Sequence, residues 1–449
     1  MNEFEAPRIV VTPPGSKATD WLEREKKCFT GGERFLPLVP DEGRGCTLKD
    51  VDGNVYLDFI GSDYSLGHCP PEIVDAIKKQ AEKLLLFISV AGAWDTYTVF
   101  AEKLREIAPG PNLKDGKVVF CTSGSECTDY AMRFARYHNR RPIVITYQGD
   151  FHGLTPGALH ITTRNARIRA RNIPMMGETV HIPFANCYRC VFGQEYPDCH
   201  LLCADYIDWV LTTVAPPDEV SAFMMEPIQV PGGFVIPPKE YWPRVKKICD
   251  KHGILMIDDE VITGMGRTGK WFGIEHFDVE PDIVCLGKSI MWGMPGAAFL
   301  LKNEIVKEYP AAAPGSAISS QSGNPVSCAA GIAGIDLIKK KNLLDNATRM
   351  GEYFRKGLLD LMSKHTLIGD VRVKGLLVGV ELVKDRKTKE PATEEMVRLR
   401  HEAFKRGLII AAYGVWNQVL RMFPPLDLAQ KHIDLALDIL DKSFRAVEE

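Results

Sequence analysis

At 449 residues, with a formal net charge of −3, 45% hydrophobic and 25% charged residues, the chain has the composition of an ordinary globular protein. It is too long for one typical domain and long enough for a large catalytic domain with a smaller companion. The near-balanced charge, with no block of Lys or Arg, excludes a dedicated nucleic-acid binder. The longest apolar run, Leu84 to Trp94, falls well short of the ~20 residues that span a bilayer.

The opening MNEFEAPRIVV has acidic residues and no basic stretch ahead of an apolar one, so no secretory signal is expected and the cytoplasm is the default compartment. DVDGNVYLDF, with Asp52-Gly53 between strand-like arms, predicts a hairpin. From about Val118 to Ser289 short β-rich runs alternate with helical patterns, which predicts βαβ units and a mostly parallel sheet. VVF before Cys121, PIVITY from Pro142, AFMM before Glu226, ILMI before Asp258 and IVCL before Gly287 are apolar without alternation, as strands buried on both faces are.

Open parallel sheets bind ligands at the carboxyl ends of their strands, and each of these runs ends in functional groups. After VVFCT come Ser123, Gly124, Ser125 and Glu126, then Cys127, Ala131, Phe134, Ala135 and His138 at helical spacing. Ser123 and Glu126 have capping-box spacing, so a helix starts here with small residues and free N–H groups, a place that attracts phosphate; a capped helix and nothing more is the plainer reading. Phe151-His152-Gly153 follows PIVITYQGD, where an aromatic ring could stack on a flat cofactor. Glu226-Pro227 ends the AFMM run and adds a carboxylate. ILMI delivers Asp258, Asp259 and Glu260 together, which is costly to bury unless a cation such as a protonated pyridine pairs with one of them. Lys288 follows IVCLG; a lysine losing hydration at a strand end tends to a lower pKa and a nucleophilic amine. Most lysines are surface residues, and what singles this one out is its company.

Gly264 to Lys270 fits the first seven positions of a P-loop, but Trp271 stands where magnesium coordination needs Ser or Thr, so an ATPase is set aside. Cys187, Cys190, Cys199 and Cys203 form CxxC followed by CxxxC, a pattern seen in zinc and iron–sulfur sites. The short gap between the pairs favours a redox-labile or structural thiol cluster, and no metal is expected. The remaining cysteines of the twelve read as reduced core residues. In the C-terminal third, amphipathic segments at Glu352–His365 and Thr393–Arg406 surround strand candidates at Leu376–Leu382 and Leu408–Ala412, a separate small α/β unit.

With these residues in place, the chain resembles the class III aminotransferases, enzymes of fold type I that use pyridoxal 5′-phosphate (PLP) and include ornithine, acetylornithine and 4-aminobutyrate aminotransferases and glutamate-1-semialdehyde aminomutase. The resemblance runs from DVDGNVYLDF and Gly67-His68 to Pro424-Pro425-Leu426, and its centre is DDEVITGMGRTG followed by PDIVCLGKS. It implies an α/β fold: a large domain at 66–325 with a mostly parallel sheet flanked by helices, and a smaller α/β domain from 326–449 joined by 1–65. By the resemblance Lys288 is the Schiff-base lysine and Asp259 pairs with the pyridinium nitrogen. Ser123, Gly124 and Ser125 hold the phosphate, Phe151 stacks on the ring with His152 beside it, and Val261 packs on the other face. Glu226 and Gly233 match the family's segment before the catalytic strand. Ser320, in SSQSGNP, takes the place of a threonine that reaches a partner's phosphate, so a homodimer with shared sites is expected. Arg421 matches an arginine that holds a substrate carboxylate. Ile262, Ala317 and Gln321 depart from common glutamine, histidine and aromatic residues, which blurs the substrate class. The implied reaction is ping-pong transfer of an amino group between an amine or amino acid and a 2-oxo acid. A racemase or aminomutase on the same scaffold is the alternative, and a retired, purely binding relative a more distant one.

Overall fold

A computed structural model describes residues 4–30, 34–88, 91–172, 178–307 and 319–449. The chain forms two compact units, residues 75–344 and residues 1–74 with 345–449.

In the unit 75–344 all five predicted apolar runs are strands of one seven-stranded sheet: β1 (Lys117–Cys121), β2 (Ile143–Tyr147), β4 (Val220–Met225), β5 (Leu255–Asp259) and β6 (Ile283–Leu286), joined by β3 (Thr179–Ile182) and β7 (Ala297–Leu301). Their order is β1-β7-β6-β5-β4-β2-β3. β7 runs antiparallel to both neighbours, and the other adjacent pairs are parallel. Every residue of β4, β6 and β7 is buried, which is why these strands read as unbroken apolar runs rather than alternating ones.

The helix after β1, α1 (Gly124–Asn139), lays Cys127, Ala131, Phe134 and Ala135 onto Val144, Ala222, Ile257, Cys285 and Phe299 of the sheet. Phe134 meets Phe299 edge to face at 5.3 Å, and burying its ring is worth roughly 2–3 kcal/mol. His138 at the far end of the predicted stripe is only half-buried. Ser123 caps the helix by accepting from Glu126 N at 3.3 Å. The Glu126 carboxylate does not close the predicted box onto Ser123; it accepts from Thr122 N and Oγ1, both at 2.6 Å, bracing the strand end one residue earlier.

The helix Pro325–Lys340 also belongs to this unit, whereas the sequence placed it in the smaller domain. It packs against the helix Asp95–Ile107 and the turn Lys288–Met291, because Gly331 and Gly334 leave room for Phe100 and Trp292.

In the unit of residues 1–74 and 345–449 the predicted hairpin is present: Thr47–Asp50 pairs antiparallel with Val55–Asp58. The Asp50 carboxylate accepts from Asp52 N, Asn54 N, Asn54 Nδ2 and Tyr56 OH, and Gly53 takes φ +91°. The predicted strand Leu408–Ala412 is instead two, split at Ile410. Leu408–Ile409 adds in parallel to Val55–Asp58, while Ala411–Tyr413 adds antiparallel to Val419–Met422 in a second, four-stranded antiparallel sheet.

Candidate active site

Parallel strands put their carboxyl ends on one edge of the sheet, and there β5 and β6 are in register with Asp259 opposite Cys285. Asp259 is 4% exposed; its Oδ1 accepts from Val261 N at 3.0 Å and its Oδ2 meets His152 Nδ1 at 2.7 Å. His152, 3% exposed, comes from the loop after β2, and its Nε2 lies 3.3 Å from Asp150 Oδ2 and 3.3 Å from Thr146 Oγ1. Burial opposes a charge on this imidazole, but the bonds and charges of Asp150 and Asp259 outweigh it and push the pKa up to about 10.

Lys288 begins the turn after β6 with φ +46°, a region that side-chain-bearing residues seldom adopt. It is half-buried rather than enclosed. A Cβ on Gly287 would come 3.1 Å from Val261 Cγ1 and 3.3 Å from Gly124 Cα, and one on Gly124 would come 3.1 Å from the same Val261 methyl. The start of α1, Val261 and the residue before Lys288 therefore converge on one point. Ser125 Oγ accepts from Leu154 N at 3.1 Å, tying α1 to the loop that carries Phe151 and His152. Gly153, with φ +135°, has no room for a side chain, since a Cβ would lie 2.3 Å from Ser125 Oγ.

Phe151 is half-buried, and its N–H donates to Glu226 Oε1 at 2.9 Å while Val230 N donates to Oε2 at 3.1 Å. Glu226 thus acts on the backbone of this loop. Burial and the neighbouring Asp150 push its carboxyl well above the usual range. Asp258 and Glu260 point away from this cluster, being one residue to either side of Asp259 along the chain. Both are buried, and burial raises both, Glu260 to about 7 even with donors from Thr263 and Ile274, so the pair holds a proton near neutral pH.

Ser320 is exposed in the turn before the helix Pro325–Lys340, and Gln321 beside it is exposed as well. Ala317 falls outside the described residues. Ile262 is 8% exposed. Arg421 belongs to the other unit, on the strand Val419–Met422, with its guanidinium 4.4 Å from the Tyr413 ring centroid and 5.1 Å from that of Phe423. Lys270 donates to Glu275 O at 2.8 Å, and no α-helix follows it, as a P-loop requires. The four clustered cysteines line one cavity with Phe184 and Tyr196 as free thiols. Among the described residues no group of three or more His, Cys, Asp or Glu is arranged to hold a metal ion. Sequence reading missed Asp150, Gln229 and Thr146; the signal was an acidic residue two places before His152 in GDFHG.

Residues 29–444 match the family described as Aminotransferase class-III. The chain is 38% identical to an alanine/serine racemase of Pyrococcus horikoshii over 98% of this chain and 93% of that protein. It is 37% identical to an acetylornithine aminotransferase of Caldanaerobacter subterraneus over 93% and 97%. A solved aminotransferase of Bacillus anthracis superposes with a TM-score of 0.88, at 30% identity, over 96% of this chain and 99% of that one. The chain belongs to the class III aminotransferase family, enzymes of fold type I that depend on PLP.

The residues present fit that cofactor. Two buried carboxyl groups, Asp150 and Asp259, share the one His152 ring, so when both are ionised they carry one negative charge more than the ring can neutralise. A protonated pyridine nitrogen would balance it. Gly124 presents the first-turn N–H groups of α1 without a side chain in the way, as an incoming phosphate needs.

Proposed function

We propose that this chain is an aminotransferase that moves an amino group between an amine or amino acid and a 2-oxo acid, in a ping-pong cycle. The observation that carries this reading is the buried Asp259–His152 pair at the end of β5, one strand from the Lys288 turn at the end of β6.

PLP, when bound, supplies an electron sink that makes the bond at the substrate's amine-bearing carbon labile. Lys288 Nζ would hold the cofactor, and its amine would be the base that takes the proton from that carbon. Asp259, oriented by His152, would face the ring nitrogen and favour its protonated form. Gly124 and Ser125 anchor the phosphate at the start of α1, with Ser123 as its cap. Phe151, set by Glu226, and Val261 enclose the ring on its two faces. Arg421, steadied by Tyr413 and Phe423, is proposed to hold a substrate carboxylate. Leu85, Leu86, Phe87 and Ile88 are all more than a third exposed, and an apolar patch of this kind supports a homodimer to which Ser320 contributes.

A second reading is amino-acid racemisation, favoured by the 38% identity to the alanine/serine racemase. The two diverge at one step. In transfer, Lys288 would carry the proton away from the substrate carbon; in racemisation, the proton would return to that same carbon from the opposite face. Purified protein loaded with PLP and given single L- and D-amino acids, with and without pyruvate or 2-oxoglutarate, separates them. Aminotransfer predicts bleaching of the visible cofactor band by the donor and recovery only on adding the 2-oxo acid. Loss of optical activity without any acceptor would replace it by the second reading.

A further inference from the structure

Asp150 is fully buried in the loop that leaves β2, just ahead of Phe151–Gly153. Gln229 Nε2 donates to its Oδ1 at 2.7 Å. Its Oδ2 has no hydrogen-bond partner among the described residues other than the approach of His152 Nε2 at 3.3 Å. Facing an ionised Asp150, Nε2 carries a proton; burial pushes the Asp150 carboxyl up, and its bonds to His152 and Gln229 oppose that rise. Nδ1 faces the Asp259 carboxylate and must carry one too. The backbone around Asp150 is held in place on both sides. Thr163 N donates to Asp150 O at 2.9 Å, and Gly149, with φ +95°, lets the Gln229 amide lie against the chain.

We propose that Asp150 is a positioning residue of the reaction, which through His152 fixes the proton arrangement presented to Asp259 and so to the cofactor's ring nitrogen. The proposal rests on the aminotransferase reading, in which Asp259 faces that nitrogen. The other titratable groups facing the three residues do not supply the same charge. Burial and Asp150 push the Glu226 carboxyl up while its oxygens are taken by Phe151 N and Val230 N, and burial with the Arg169 charge lowers His181 to about 4 and keeps it neutral. Burial raises the phenols of Tyr147 and Tyr241, and the thiol of Cys285 likewise; Cys127, which burial raises but bonds with Cys121 and Cys285 lower to about 6, interacts with Asp259 through space. Among the described residues Asp150 is the one carboxyl group on the outer nitrogen of His152.

The test combines nitrogen-15 histidine NMR on the cofactor-free protein, with His152→Gln to assign its signal among the eleven histidines, and pH titration of the PLP-loaded enzyme. In the parent both His152 ring nitrogens are protonated from about pH 5 to about pH 9, below the raised pKa. In Asp150→Asn one nitrogen loses its proton between about pH 6 and 8, nearer the ordinary histidine range. The cofactor absorbance and kcat of that variant then gain an inflection at the same pH, with KM changed less than about threefold, and the inflection vanishes in the Asp150→Asn, His152→Gln double variant. An unchanged His152 titration in Asp150→Asn, or an inflection that survives in the double variant, overturns the proposal. If Asp150→Asn does not fold, the parent still decides: a neutral His152 at about pH 8 overturns it and a doubly protonated one supports it. Because the NMR arm needs no cofactor, a protein that takes up no PLP would sink the aminotransferase reading in a separate measurement.

Discussion

Lys288 combines a reactive amine with a backbone held at φ +46°, and strain of this kind, of order 1 kcal/mol, persists only where the surroundings enforce it. Lys288→Ala removes the amine and leaves the turn. Its kcat is expected to fall by at least about a thousandfold, and borohydride treatment of the PLP-loaded variant should leave no covalent label; label on another lysine would move the assignment. At the end of β5, Asp258 and Glu260 give a prediction about stability. In the unfolded chain both carboxyls ionise near pH ~4, whereas burial keeps a proton on the pair until about neutral pH. Stability is therefore lost as pH rises from about 4 through about 7. Asp258→Asn cannot ionise, so it should match the parent in thermal melts at about pH 4 and exceed it by roughly 1–3 kcal/mol at about pH 8. A gap of equal size at both pH values would show that ionisation is not the cause.

At the scale of elements, the sheet and α1 were legible because burial on both faces leaves apolar runs, and because α1 shows helical spacing behind a capping serine. The positions of the residues proposed for the cofactor were legible too, since Asp259, Lys288 and the loop after β2 each follow such a run directly. What surrounds them was not. Asp150, Gln229 and Thr146 reach His152 only through side chains from separate segments, and no periodicity records that. The helix Pro325–Lys340 was misplaced for the same reason: its tie to the Lys288–Met291 turn is a steric fit at two glycines, invisible to pattern reading. A Cβ at Gly334 would lie 1.5 Å from Trp292 Nε1. Gly334→Ala should therefore destabilise by about 1–3 kcal/mol, shift tryptophan fluorescence and lower PLP occupancy; a variant that melts with the parent and binds PLP equally would break the link between this helix and the turn.

For the whole molecule, the apolar patch at Leu85–Ile88 bears on assembly. If it is covered by a second copy, Leu85→Ser with Phe87→Ser should shift light-scattering mass from dimer to monomer at micromolar concentration, with loss of activity where sites are shared. A dimer that persists in the double variant would place the interface elsewhere. The smaller unit has its own vulnerability at Ile410. Two sheets take their edge strands from either side of that single residue, Leu408–Ile409 on one and Ala411–Tyr413 on the other. Side chains alternate faces along a strand, so deleting Ile410 cannot be absorbed by sliding: whichever sheet keeps its pairing, the other must turn its inward residues to solvent, and the strand carrying Arg421 is the one Ala411–Tyr413 borders.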